Sequence, residues 1–216
     1  MNLDSLYRSY GLGMKILGME HSIQEFIFNL PLDYFPNTNI LDAGCGTGII
    51  GLSLLKKYRN SRLLATDINP ELLKHTQKNA LRSGINLSQI RIGLADISAP
   101  NEVKDLKGKT LKLAPASFEV VATGGVIGYS KNPIKTVETL FSLVKPNGYF
   151  LNIEMNNKRI GKIVAKKYHY LTPPEKFFKG MAERHGFELE VIPVHLFPAS
   201  LTRVCYLAKL PATQSD

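Results

Sequence analysis

The sequence predicts an α/β fold of the doubly wound kind: a mainly parallel seven-stranded sheet with helices on both faces, closed by a C-terminal antiparallel β-hairpin. Three observations predict it. Short β-like runs alternate with stretches of helical apolar spacing, the order that builds parallel sheets. A glycine-rich segment, Asp42-Ala43-Gly44-Cys45-Gly46-Thr47-Gly48, stands between the first strand and the first helix of that alternation, where such sheets bind ligands. The last two strand-like runs have no helix between them, so they pair antiparallel.

Residues 1–38 read as an N-terminal arm with a helix over 23–30, ahead of a domain over 39–216. Asn39–Ala43 is a compact strand, and Ile49, Leu52 and Leu55 give residues 48–58 a helical face. A second strand covers 62–66. Asn69 then serves as N-cap and Pro70 as first-turn residue of a helix reaching about Ser83. Ile90–Leu94 is the third strand. Residues 103–113, with Lys104, Lys107, Lys109 and Lys112, read as a solvated surface loop. Phe118–Thr123 is the fourth strand. A helix over 132–144 follows, with Asn132 as N-cap and Lys145-Pro146 as its stop. The fifth strand spans 148–154, and a helix over 173–185 ends at Gly186. The final strands lie near 187–195 and 202–210, and Pro193 and Pro198 predict an irregular hairpin.

The 216 residues suit one domain, and 44% hydrophobic with 21% charged residues is the balance of a soluble globular protein. No apolar run approaches the ~18 residues that cross a bilayer. Asp4, Arg8, Lys15 and Glu20 interrupt the N-terminus, so no secretory leader is expected and a cytoplasmic location is. Cys45 and Cys205 match no metal-binding spacing, so neither a metal nor a disulfide is expected. The formal charge of +9 favours anionic partners, whether nucleic acid, acidic membranes or anionic small molecules, or it serves solubility alone.

The glycine-rich loop admits two ligands. Glycines let backbone approach a ligand closely, and the following helix offers free N–H groups. Gly46, Gly48 and Gly51 satisfy G-x-G-x-x-G, with Asp67 at a distance that suits a ribose, which is the pattern of a nicotinamide-dependent oxidoreductase. Three features point away from it. Asp42 and Gly44 start the turn early, a further acid, Asp96, follows the third strand, and no substrate domain is expected after the hairpin.

Taken in order, ILDAGCGTG, LLATDINP, IGLADIS, FEVVATGGVIGYS and LVKPNGYFLNIE resemble the successive motifs of class I S-adenosylmethionine-dependent methyltransferases with a Rossmann-like fold. The resemblance implies S-adenosyl-L-methionine as cofactor and S-adenosylhomocysteine as product. It implies that Asp42, Gly44, Cys45 and Gly46 cradle the methionine part. Asp67 would accept hydrogen bonds from the ribose hydroxyls and Ile68 would pack on adenine. Asp96 and the Ile97 backbone would bind the adenine edge, while Thr123 and Gly124 face the methionine end. Structural roles compete with these: Asp96 as the cap of a turn, Asp67 as the cap of the next helix, Thr123 as an ordinary strand residue.

A sulfonium leaves without protonation, so methyl transfer rests mainly on positioning and desolvation, with a base needed only where the nucleophile carries a proton. Families that methylate base amines or glutamine side chains often carry Asn-Pro-Pro-Tyr after the fourth strand; Thr123-Gly124-Gly125-Val126 stands here. The loop is more similar to that of small-molecule and lipid-quinone enzymes, in which histidine is frequent at the place of Tyr129. Tyr129 is thus a candidate for lining the acceptor pocket or moving a proton, with packing as the alternative. Tyr10, in an arm that also holds Tyr7 and Gly11, is a candidate substrate contact in a lid. His21 is a candidate base or a helix-start residue. Residues 156–170 carry Lys158, Arg159, Lys162, Lys166 and Lys167 without an acid, with Ile160, Ile163 and Val164 at helical spacing. That segment suits peripheral contact with an anionic membrane, an acidic substrate, or plain solvation. The expected activity is methyl transfer to a small-molecule acceptor, anionic or lipid-like. RNA or other nucleic-acid modification is the alternative, and a nicotinamide-dependent oxidoreductase the more remote one.

Overall fold

The computed structural model describes residues 18–33 and 37–212. Its strands are β1 (Asn39–Ala43), β2 (Arg62–Asp67), β3 (Ile90–Leu94), β4 (Glu102–Lys104), β5 (Thr110–Lys112), β6 (Phe118–Thr123), β7 (Val144–Met155), β8 (Glu188–Pro193) and β9 (Arg203–Lys209). Its helices are α1 (Met19–Phe28), α2 (Ile49–Lys57), α3 (Pro70–Arg82), α4 (Pro133–Ser142), α5 (Arg159–Lys167) and α6 (Glu175–Arg184). Together the strands form one sheet in the order β5-β4-β3-β2-β1-β6-β7-β9-β8. The five adjoining strands β3, β2, β1, β6 and β7 are parallel, and β9 and β8 close the sheet antiparallel. From β1 the chain steps outward to β2 and β3, then returns to the other side of β1 at β6. This reversal opens a crevice beyond the adjoining ends Ala43 and Thr123.

Both faces of the sheet are covered, which is why its parallel strands read as continuous apolar runs. Successive residues of β1 serve opposite cores: Ile40 packs with Ile27 of α1, Leu54 of α2 and Leu73 of α3, whereas Leu41 packs with Leu140 of α4 and Phe178 of α6. As the sequence predicts, the Asn69 side chain caps α3 by accepting from Glu71 N, and Asn132 caps α4 by accepting from Lys135 N.

Four details differ from the sequence reading. Residues 103–113 are not a loop: β4 and β5 form a hairpin that joins β3 at Leu94 and Lys104, so the sheet has nine strands rather than seven. Val103 drives this, because it is buried against Gly93, where a β-carbon would stand 2.3 Å from its Cγ1. Lys145-Pro146 does not stop α4, which ends at Ser142; the pair lies inside β7, where the register with β6 shifts and Asn147 takes φ 63°. The β8–β9 pairing runs unbroken from Glu188–Lys209 to Pro193–Val204, so irregularity is confined to the connection. Finally, the N-terminal helix begins at Met19, four residues before the expected 23–30. Its last carbonyls, of Ile27 and Phe28, and that of Leu30 beyond it, accept hydrogen bonds from Lys57 Nζ at 3.3, 3.0 and 2.5 Å, which fixes this helix to α2.

Candidate active site

A cavity of about 540 Å³ lies at the crevice where the strand order reverses. Its floor is the loop from β1 to α2, and hydrogen bonds to neighbouring elements hold that loop. Cys45 N donates to Thr66 O at 2.8 Å and Gly46 N donates to Asp67 Oδ2 at 2.9 Å, tying the loop to β2. From α3, Thr76 Oγ1 donates to Gly46 O at 3.0 Å and Asn79 Nδ2 donates to Thr47 O at 3.0 Å. Gly44 and Gly46 have φ of +70° and +57°, a region that glycine enters without strain. A β-carbon on Gly44 would stand 2.8 Å from the Val126 side chain, so the two loops that bound the cavity need this glycine to meet.

Asp42 is fully buried, and its Oδ2 accepts from Gly51 N at 2.8 Å. Burial pushes its carboxyl up to about 7, against the pull of the Gly51 N–H and with a further push from Asp67. Among the described residues Asp42 Oδ1 has no hydrogen-bond partner. The start of α2 is therefore already occupied by an acid. That acid takes the Gly51 N–H, one of the helix-start donors that the G-x-G-x-x-G pattern would offer to a pyrophosphate.

Asp67, at the end of β2, lines the cavity; its Oδ1 accepts from Asn69 N at 2.9 Å while Oδ2 holds the Gly46 N–H. Burial raises this carboxyl too, opposed by the N–H groups of Asn69, Gly46 and Ile68. The capping and ligand readings of Asp67 are thus compatible in one side chain. Asp96 caps its turn, with Oδ1 accepting from Ser98 N at 2.8 Å, and it lines the cavity beside Ile97. Ile68, Cys45 and Gly124 line it as well.

Thr123 does not. Its neighbour at period two, Val121, packs into the α4–α6 core, so Thr123 points to the far side of the sheet, where its Oγ1 is buried without a partner among the described residues. His21 is also misplaced as a base: its side chain is 84% exposed on α1, facing Glu25 at 3.8 Å, away from the cavity lining. Tyr129 lines the cavity as expected, but its hydroxyl donates to Tyr168 O at 3.1 Å and its ring meets Tyr170 edge-on at 4.9 Å, the arrangement of a wall. Tyr10 lies outside the described residues.

Sequence reasoning missed the other walls. Glu20 and Ile23 of α1 close one side, and Met155, Tyr168, His169 and Arg203 close the side beyond β7 and β9. Behind them lies a buried acid, Glu154. Its Oε1 accepts from Tyr170 OH at 2.6 Å and Met155 N at 2.7 Å, and Tyr170 OH in turn accepts from Gly128 N at 3.1 Å. Burial raises the Glu154 carboxyl against the pull of Tyr170, Met155 and Arg203. This network pins the loop that bears Tyr129 to the end of β7. Its one signal in the sequence is an acid near the end of a largely buried strand.

The family model of a methyltransferase domain matches residues 41–150, just over half of the chain. A ribosomal protein L11 methyltransferase of Saccharophagus degradans is 36% identical over 97 residues, 42% of this chain and 32% of that protein. A ubiquinone biosynthesis O-methyltransferase of Colwellia psychrerythraea is 25% identical over 179 residues, 76% of this chain and 67% of that protein. The chain thus spans about a third of the first relative and two thirds of the second. Among solved structures, an O-methyltransferase family protein from Burkholderia thailandensis shares the fold with a TM-score of 0.70 at 13% identity, over 97% of this chain and 60% of that one.

Proposed function

Because the chain belongs to the family of the methyltransferase domain, we propose that it moves the methyl group of S-adenosylmethionine to a small-molecule acceptor. One observation carries the reading: a single cavity joins an acid-lined end, at Asp42, Asp67 and Asp96, to an end walled by Tyr129, Met155, Tyr168 and Arg203. The residues present fit the cofactor. Asp67 offers two carboxylate oxygens at a strand end to a vicinal diol. Ile68 and Ile97 give apolar surface for an adenine, with Asp96 beside them for its amine. Asp42 lines the same cavity and, with Oδ2 held by Gly51 N, leaves its Oδ1 without a partner among the described residues, an acceptor available to the ammonium of the methionine part.

S-Adenosylmethionine supplies a methyl group on a sulfonium, whose departure needs no proton. The chain's share is positioning and exclusion of water. The loop at Gly44 and Gly46 orients the donor, α1 covers it with Glu20 and Ile23, and the Glu154–Tyr170–Gly128 network fixes the wall against which an acceptor rests.

Two findings favour a small acceptor. A volume of about 540 Å³ is that of a small-ligand site, and the relative named for ubiquinone biosynthesis aligns over most of the chain. The relative named for a ribosomal protein makes a protein side chain the competing acceptor, over a shorter match. Incubating the protein with methyl-labelled S-adenosylmethionine and cell extract decides between them. Label is expected in the low-mass or organic-extractable fraction; label confined to protein or RNA contradicts the proposal.

A further inference from the structure

The outer face of α5 is a feature of the surface that the catalytic reading leaves unused. The helix seats itself through Gly161 and Ala165, which are buried; a β-carbon on Gly161 would stand 2.3 Å from Asn156 O. At 100° per residue the remaining positions divide into two outward flanks. One carries Ile160 and Ile163, which are 44% and 62% exposed, with Lys167 between them. The other carries Lys158, Arg159, Lys162 and Lys166. Among the described residues no carboxylate lies within ion-pair distance of any of these five cations. Three residues past the helix cap Tyr168, Leu171 is 79% exposed.

We propose that this face docks the protein on an anionic lipid bilayer beside the mouth of its cavity. Charge complementarity selects the partner: five cations on one short helix and its N-cap, none ion-paired among the described residues, attract anionic headgroups, and the chain's formal charge of +9 adds to the attraction. The bare isoleucines select a bilayer over a nucleic acid, since aliphatic side chains enter the headgroup boundary whereas a nucleic-acid surface calls for stacking aromatic rings. Among the described residues no helix is long and apolar enough to cross a membrane, so the contact is peripheral. The same segment supplies Tyr168 and His169 to the cavity wall, and Tyr168 O holds the Tyr129 hydroxyl. A bilayer under α5 therefore lies next to the acceptor end. That an acceptor enters from the bilayer rests on the function proposed above; the docking itself does not.

Co-sedimentation of the full chain with sucrose-loaded vesicles tests it. Vesicles of equal phosphatidylcholine and phosphatidylglycerol should bind the protein, pure phosphatidylcholine should not, and added salt should weaken the binding. Ile163→Glu and, separately, Lys166→Glu should each lower partitioning about tenfold while leaving the thermal shift given by S-adenosylhomocysteine unchanged. The proposal is overturned by equal binding to neutral vesicles, by binding that Ile163→Glu leaves intact, or by vesicles failing where RNA or an acidic protein is captured. Failure here with the thermal shift intact would leave the catalytic reading standing.

Discussion

Burial lifts the Asp42 carboxyl from its ordinary 3.8 to about 7, so between about pH 4 and pH 7 the folded chain keeps a proton there that the unfolded chain has lost. Folding stability from this residue is complete below about pH 4 and falls as pH rises through that window, by on the order of 4 kcal/mol. Asp42→Asn keeps an acceptor for the Gly51 N–H without the titration. Denaturant midpoints measured from pH 5 to pH 8 should fall less for the variant than for the parent protein, and S-adenosylhomocysteine affinity should drop in the variant. Identical slopes would show that Asp42 does not carry the effect. Single residues were legible in the sequence where their chemistry is local: Asp67 ends a strand, Asp96 follows one, and both serve their own turns. Glu154 was not, because what makes it structural is Tyr170, sixteen residues on, and Gly128 beyond it.

At the scale of elements, the sequence marks helix starts well because caps are local: Asn69 and Asn132 bond backbone groups within three residues. It marks the β4–β5 hairpin poorly, since four lysines dominate the segment and the apolar contacts that attach it, Val103 against Gly93 among them, come from other strands. That contact is testable. Gly93→Val should push the hairpin off β3, costing about 1–3 kcal/mol as an overpacked site and raising amide exchange across residues 102–112 with little change elsewhere. Unchanged exchange there would mean that the hairpin is held by other contacts. The end of α4 was misjudged for a similar reason. Pro146 looks like a helix stop, but Val144, buried and paired with Phe118, had already begun β7.

For the whole molecule, alternation of strands and helices sufficed to place the sheet, its parallel centre and the ligand crevice, because the reversal at β1 follows from connectivity. The cavity's walls were less legible. Glu20, Met155, Tyr168 and Arg203 converge from α1, β7, the end of α5 and β9, and no spacing within the chain links them. The acid-lined end holds residues that the sequence names and that line the cavity, and thermal unfolding tests its proposed role most directly. S-Adenosylhomocysteine at about a hundred times its dissociation constant should stabilise the parent protein by about 2.7 kcal/mol; NAD should not, and Asp67→Ala should abolish the shift. Stabilisation by NAD alone, or an undiminished S-adenosylhomocysteine shift in Asp67→Ala, would contradict the account.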